Sequence, residues 1–235
     1  MTEYAHPELL ADTEWLAQHL DDPTVRVVDC DSPDAYARAH IPGSLNLSHP
    51  MLPEPQHYLK DPDDPMHVLP PDKFARVMGE LGIGDDTLVG AYDDYKGRNA
   101  ARLWWALGLY GHTNVKVVNG GWSEWLAEGR PVTNAAVEYP EATFTPAPAP
   151  EQIATCDYLL GCVDNPDVVI LDVRSDEEWT GEDDRDNERA GRIPGAVHLE
   201  WLNFVDERHL FKPADELQAM LASAGVKPEA EVITH

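Results

Sequence analysis

Cys30, Cys156 and Cys162 are the three thiols of this chain of 235 residues, and a thiolate is the side chain best suited to nucleophilic or metal chemistry. Their spacing argues against both uses. No CxxC or Cys/His spacing suggests zinc, and an odd, sparse set does not make a disulfide framework. Cys30 follows an expected strand, Val25 to Asp29, and Cys156 and Cys162 flank a short helical stretch. All three read as buried, inert thiols. A more promising position lies at Glu231-Val-Ile-Thr-His235. Val232 and Ile233 read as a buried strand with Thr234 and His235 at its carboxyl end. In an α/β protein the loop after such a strand is where ligands bind.

The rest of the chain must position these groups, and its composition limits the options. A length of 235 residues suits one large domain or two small ones. No apolar run approaches the roughly 18 residues of a membrane span. The first residues, Met1-Thr-Glu-Tyr-Ala-His-Pro7, lack a basic and then apolar leader, so the expected location is cytoplasmic. Lys and Arg number 17 against 43 Asp and Glu, a net charge of −26. That balance argues against nucleic acid, which needs clustered cations. An acidic protein with an anionic substrate must keep a local positive spot.

The sequence contains itself twice. Val27-Val-Asp-Cys-Asp-Ser-Pro-Asp-Ala-Tyr36 matches Ile170-Leu-Asp-Val-Arg-Ser-Asp-Glu-Glu-Trp179, which pairs Asp29 with Asp172. Ala39-His-Ile-Pro-Gly-Ser-Leu-Asn-Leu47 matches Gly191-Arg-Ile-Pro-Gly-Ala-Val-His-Leu199, with an insertion in the stretch Thr180 to Arg189 of the second copy. Glu80 to Tyr92 matches Ser223 to His235, each a helix end, a glycine stop, a turn and a strand. Thr145-Pro-Ala-Pro-Ala-Pro-Glu151 reads as a stiff, extended linker. The expected organisation is a first domain over 8–133, a Pro-rich linker over 134–151 and a second domain over 152–235. Apolar strands alternating with helices imply an α/β fold, each domain a mostly parallel sheet flanked by helices.

Tyr92 pairs with His235 in this alignment. After Asp93 the first copy continues through a loop, a helix (Asn99 to Tyr110), a strand (Val115 to Val118), the turn Asn119-Gly-Gly121 and a helix (Trp122 to Glu128). The second copy has no counterpart, so the repeat predicts a truncated second domain and a natural polypeptide running roughly 40 residues further.

These motifs resemble the rhodanese family of tandem-domain sulfurtransferases, which act on thiosulfate or 3-mercaptopyruvate. The resemblance rests on Asp172-Val-Arg174 with its decayed copy Asp29 to Asp31. It also rests on the twice-repeated Ile-Pro-Gly turn and on Val117-Val-Asn-Gly-Gly-Trp-Ser-Glu-Trp-Leu-Ala-Glu-Gly-Arg-Pro131. It implies a nucleophilic cysteine directly after His235, first in a six-residue loop closed by an arginine, whose backbone N–H groups and following helix favour a thiolate. In the first copy Asp93 takes that position and Arg98 closes the loop. That domain is therefore expected to be inactive. By the same resemblance Arg185 lies near the substrate-carboxylate site, Trp201 is a candidate pocket wall, and His235 flanks the nucleophile.

Two departures from the mercaptopyruvate enzymes favour thiosulfate as donor. Glu178 stands where they have an arginine, and Ser48 stands near where they have an acidic residue. Asp172 and Arg174 read as braces of the strand end, and Arg185 in so acidic a loop also reads as an internal ion pair. The implied reaction moves sulfane sulfur from a small anionic donor through a cysteine persulfide to a thiophilic acceptor, cyanide or a small or protein thiol. No metal or organic cofactor is implied, and no membrane or nucleic-acid partner. A 3-mercaptopyruvate sulfurtransferase and a non-catalytic binding module of the same fold stay open as alternatives.

Overall fold

In a computed structural model, which describes residues 3–53 and 55–235, the chain divides into two compact units. Among the described residues, one comprises 6–150 with 208–210, the other 3–5, 151–207 and 211–235.

The first unit is a five-stranded parallel sheet between helices. Its strands begin with β1 (Leu10–Ala11), β2 (Val25–Asp29) and β3 (Leu45–Asn46). A small antiparallel hairpin, β4 (Lys60–Asp61) and β5 (Asp64–Val68), lies apart from the sheet. β6 (Leu88–Tyr92) and β7 (Val115–Val118) complete the order β1-β7-β6-β2-β3. The runs Val-Arg-Val-Val-Asp and Leu-Val-Gly-Ala-Tyr are nearly continuous in apolar residues because both faces of a parallel sheet are covered. The covering helices are α1 (Thr13–His19), α2 (Pro33–Arg38), α3 (Pro71–Glu80), α4 (Arg98–Leu109) and α5 (Gly121–Ala127). Phe74, Val89, Leu103 and Tyr110 form the core on one face. Leu16, Val27, Ile41, Tyr92 and Trp125 form it on the other. Asp12 and Ser32 cap α1 and α2 by accepting from Trp15 N and Ala35 N, contacts worth about 1 kcal/mol each.

The second unit repeats the centre of this plan. α6 (Cys156–Cys162) precedes β8 (Val168–Asp172), followed by α7 (Asp176–Thr180), β9 (Val197–His198), α8 (Ala214–Ser223) and β10 (Glu231–Thr234). The three strands are parallel in the order β10-β8-β9, matching β6-β2-β3. Thr155 and Ser175 cap α6 and α7 through Tyr158 N and Glu178 N.

Three expectations need correction. Cys30 and Cys162 are buried, but Cys156 is exposed because it opens α6 on its solvent side. Ile233 is buried, whereas Val232 is 41% exposed. Side chains alternate along a strand, so Val232 and Ile233 lie on opposite faces. The Pro-rich stretch is extended but strapped to the first unit. Ala147 N and Ala149 N donate to Tyr110 O and Leu109 O at 2.9 and 2.8 Å, and Phe144 joins the core.

Candidate active site

β6 delivers Asp93 to the carboxyl edge of the first sheet, where it is 1% exposed. Its Oδ1 accepts from Tyr95 N at 2.7 Å and Gly97 N at 2.8 Å. Its Oδ2 accepts from Ala100 N, in the first turn of α4, at 2.8 Å. The loop converges on one anion because Lys96 and Gly97 both take left-handed backbone, φ 58° and 83°. These turn successive N–H groups inward, and α4 adds the positive end of its dipole. Gly121 closes the back: a Cβ there would lie 2.2 Å from Asp93 O, so no larger residue fits. Arg98 begins α4 and lays its guanidinium 4.2 Å over the Tyr95 ring. This cradle holds one negative charge with three backbone donors.

The rim above it is acidic. Asp29 accepts from the Tyr92 hydroxyl at 2.6 Å and from Asp31 N at 2.8 Å, and Asp31 accepts from Asp94 N at 2.8 Å. They border a cavity of about 340 Å³ shared with Arg38, Asp94, Tyr95 and Trp122. Burial pushes the Asp29 carboxyl up to about 6. Burial and then the charges of Asp29 and Asp93 push Asp31 up to about 7. Burial, reinforced by Asp93, raises the Cys30 thiol well above its ordinary value, so it is not a nucleophile.

These carboxyls titrate near 3.8 without the fold. A raised folded value means the folded state binds the extra protons. Their stabilisation is complete below about pH 4 and is lost as pH rises through 6 to 7. Asp31→Asn should therefore gain about 2–5 °C in Tm relative to the parent between pH 5 and pH 8. Parallel Tm curves over that range would contradict the coupling.

In the second unit β8 delivers Asp172, fully buried. Arg174 grips it with Nε to Oδ1 at 3.0 Å and Nη2 to Oδ2 at 2.6 Å, and also donates from Nη2 to Gly191 O at 2.9 Å. Burial alone would raise the Asp172 carboxyl, but the Arg174 hydrogen bonds outweigh it and hold the carboxyl below its usual range. The pair therefore stays ionised. His235 directly follows β10, with its Nδ1 3.8 Å from Asp172 Oδ2. His198 donates to Arg174 O at 2.9 Å and stacks on Trp179. An open cavity of about 730 Å³ is bordered by Arg174, Glu178, Glu188, Arg189, Arg192 and His235, among others.

The residues singled out in the sequence are only partly gathered here. His235 lines the cavity. Trp201 begins a 3-10 turn and donates from its backbone N to Val173 O at 3.0 Å, but it is not among the residues bordering the cavity. Arg185 is exposed and tied to Glu178 at 3.2 Å and Asp183 at 3.1 Å. Sequence reasoning missed Arg189 and Arg192 as cavity residues, and it gave Arg174 a bracing role alone. Their position beside the Gly191-Arg-Ile-Pro-Gly195 turn was the available signal.

The two sheet edges are built alike, bond for bond. Asp29 pairs with Tyr92 across β2 and β6, and Leu171 pairs with Thr234 across β8 and β10, which puts His235 in register with Asp172. Cys30 N donates to Tyr92 O, as Val173 N does to His235 O. Leu47 N donates to Asp29 O, as Leu199 N does to Asp172 O. Asp31 N donates to Asp29 Oδ1, as Arg174 N does to Asp172 Oδ1. Tyr92 and His235 are therefore structurally equivalent, and so are Asp31 and Arg174. The rim charge is inverted between the two units.

Among the described residues no helix is long and apolar enough to cross a membrane. No cluster of three or more His, Cys, Asp or Glu among them could hold a metal ion. The family profile "Rhodanese-like domain" matches residues 12–128 and 155–235. The chain is 32% identical to the "Sulfur carrier protein TtuD" of Thermus thermophilus, over 99% of this chain and 83% of that one. It is 31% identical to a "Thiosulfate sulfurtransferase" of Azotobacter vinelandii, over 100% of this chain and 84% of the relative. The crystal structure of SseA, a 3-mercaptopyruvate sulfurtransferase from Escherichia coli, aligns with a TM-score of 0.84 at 29% identity. That alignment covers 96% of this chain and 87% of that one.

Proposed function

The chain belongs to the rhodanese family, and from that premise we propose that it is a sulfurtransferase acting on thiosulfate through a cysteine directly after His235. The observation that carries the reading is the equivalence of Tyr92 with His235. It supports reading the residue after His235 as the counterpart of Asp93, which in the first unit sits at the focus of a cradle of three backbone donors. A cysteine there is favoured as the thiolate. The thiolate attacks the outer sulfur of thiosulfate, and a new S–S bond forms as the old one breaks. Sulfite leaves with the bonding electron pair. The terminal sulfur then passes to cyanide or a thiol, and the thiolate returns. Asp172 and Arg174 stay ionised beside this point and fix the strand end, while His235 contributes a ring 3.8 Å from the Asp172 carboxylate.

Glu178 borders the cavity and stands where the resemblance to the mercaptopyruvate enzymes calls for an arginine, and the lack of that carboxylate-holding contact favours thiosulfate over 3-mercaptopyruvate. The likeness to SseA keeps 3-mercaptopyruvate as the second reading. A non-catalytic module is what the same cradle gives when aspartate fills it, as in the first unit. Initial rates of the full-length protein with cyanide as acceptor separate the donors. The expected kcat/KM is at least about tenfold higher for thiosulfate than for 3-mercaptopyruvate. The reverse preference would overturn the donor assignment.

A further inference from the structure

We infer that Arg189, rather than Arg185, holds the oxyanion end of the sulfur donor. The inference rests on the sulfurtransferase reading and names the donor contact within that site. Three arginines border the second unit's cavity: Arg174, Arg189 and Arg192. Arg174 is spent on Asp172 and on Gly191 O. Arg192 lies 4.6 Å over the Trp179 ring. Arg185 is outside the cavity lining, and its Nη2 and Nε are held by Glu178 and Asp183 at 3.2 and 3.1 Å. The backbone there is left-handed at Arg185 and Asp186, φ 50° and 61°, and Asp186 N is fixed on Asp184 Oδ1. Arg189 borders the cavity and makes no hydrogen bond, ion pair or ring contact among the described residues.

The electrostatics require such a group. The cavity wall includes Glu178 and Glu188, and the chain carries a net charge of −26. A doubly charged donor enters only where a cation is free to receive it. A guanidinium offers two parallel N–H groups that match two oxygens of a sulfonate-like head. Those oxygens leave with sulfite and are present before and during S–S cleavage. The contact is thus made equally in ground and transition states, and its loss should appear in KM rather than kcat.

The test uses the full-length protein, thiosulfate as donor and cyanide as acceptor. Arg189→Ala is expected to raise the thiosulfate KM on the order of tenfold. Its kcat should stay within about threefold and its cyanide KM unchanged. Arg189→Lys, which keeps the charge, should recover most of the loss, and Arg185→Ala should move the donor KM less than about twofold. A parent protein that takes no sulfur from thiosulfate overturns the sulfurtransferase reading and this assignment with it. An active parent whose Arg189→Ala variant keeps its donor KM, or whose Arg185→Ala variant shows the larger rise, overturns the assignment of Arg189 alone.

Discussion

Serine in place of the cysteine proposed to follow His235 will slow thiosulfate-dependent sulfur transfer by the full-length protein at least about a thousandfold. A serine hydroxyl in the same cradle stays protonated near neutral pH, and oxygen forms no persulfide. The cradle, the Asp172–Arg174 pair and the strand register need no change to accommodate it, so the loss should fall on turnover with Tm preserved. Cys30 and Cys162 offer no detour because both are buried. Exposed Cys156 stands at the start of α6, and among the described residues no ring of N–H donors converges on it as on Asp93. Turnover within tenfold of the parent would place the nucleophile elsewhere.

Asp93→Ala should destabilise the first unit by about 3–5 kcal/mol. The substitution strands three donors, Tyr95 N, Gly97 N and Ala100 N, and leaves a loop with two consecutive left-handed residues without the anion that holds it. Asp93→Asn should cost less, about 1–3 kcal/mol. Its carbonyl oxygen can still receive Tyr95 N and Gly97 N, but its NH₂ then faces the Ala100 N–H. Chemical denaturation of the full-length protein, followed by a probe of the first unit, reads both values. Equal stability of parent and Asp93→Asn would mean that the third donor is not held by the carboxylate.

The sequence made the repeated centre of the fold legible. Val25–Asp29 and Val115–Val118 appear as strands at the expected residues, because a buried parallel strand writes itself as an unbroken apolar run bounded by turns. The helix expected over Asn99 to Tyr110 runs over Arg98–Leu109, since left-handed Gly97 starts it one residue early. β1 was not legible. Two residues, Leu10–Ala11, have no periodicity, and their strand character comes from pairing with β7. Phe144 is a core residue inside a Pro-rich stretch because tertiary contact overrode composition.

At the site, repeat alignment located Asp93 and His235, but charge pairing required coordinates. Arg185 and Arg189 stand in the same acidic loop with similar neighbours in sequence. Only three-dimensional placement separates a guanidinium held by Glu178 and Asp183 from one that borders the cavity.

The most direct test is the intact mass of the full-length protein before and after thiosulfate, followed by cyanide. Thiosulfate should add about 32 Da, one sulfur atom, and cyanide should remove it. Peptide mapping should place the added sulfur on the residue that follows His235 and on none of Cys30, Cys156 and Cys162. A protein that gains no mass, or that carries the sulfur on one of those three cysteines, would contradict the account.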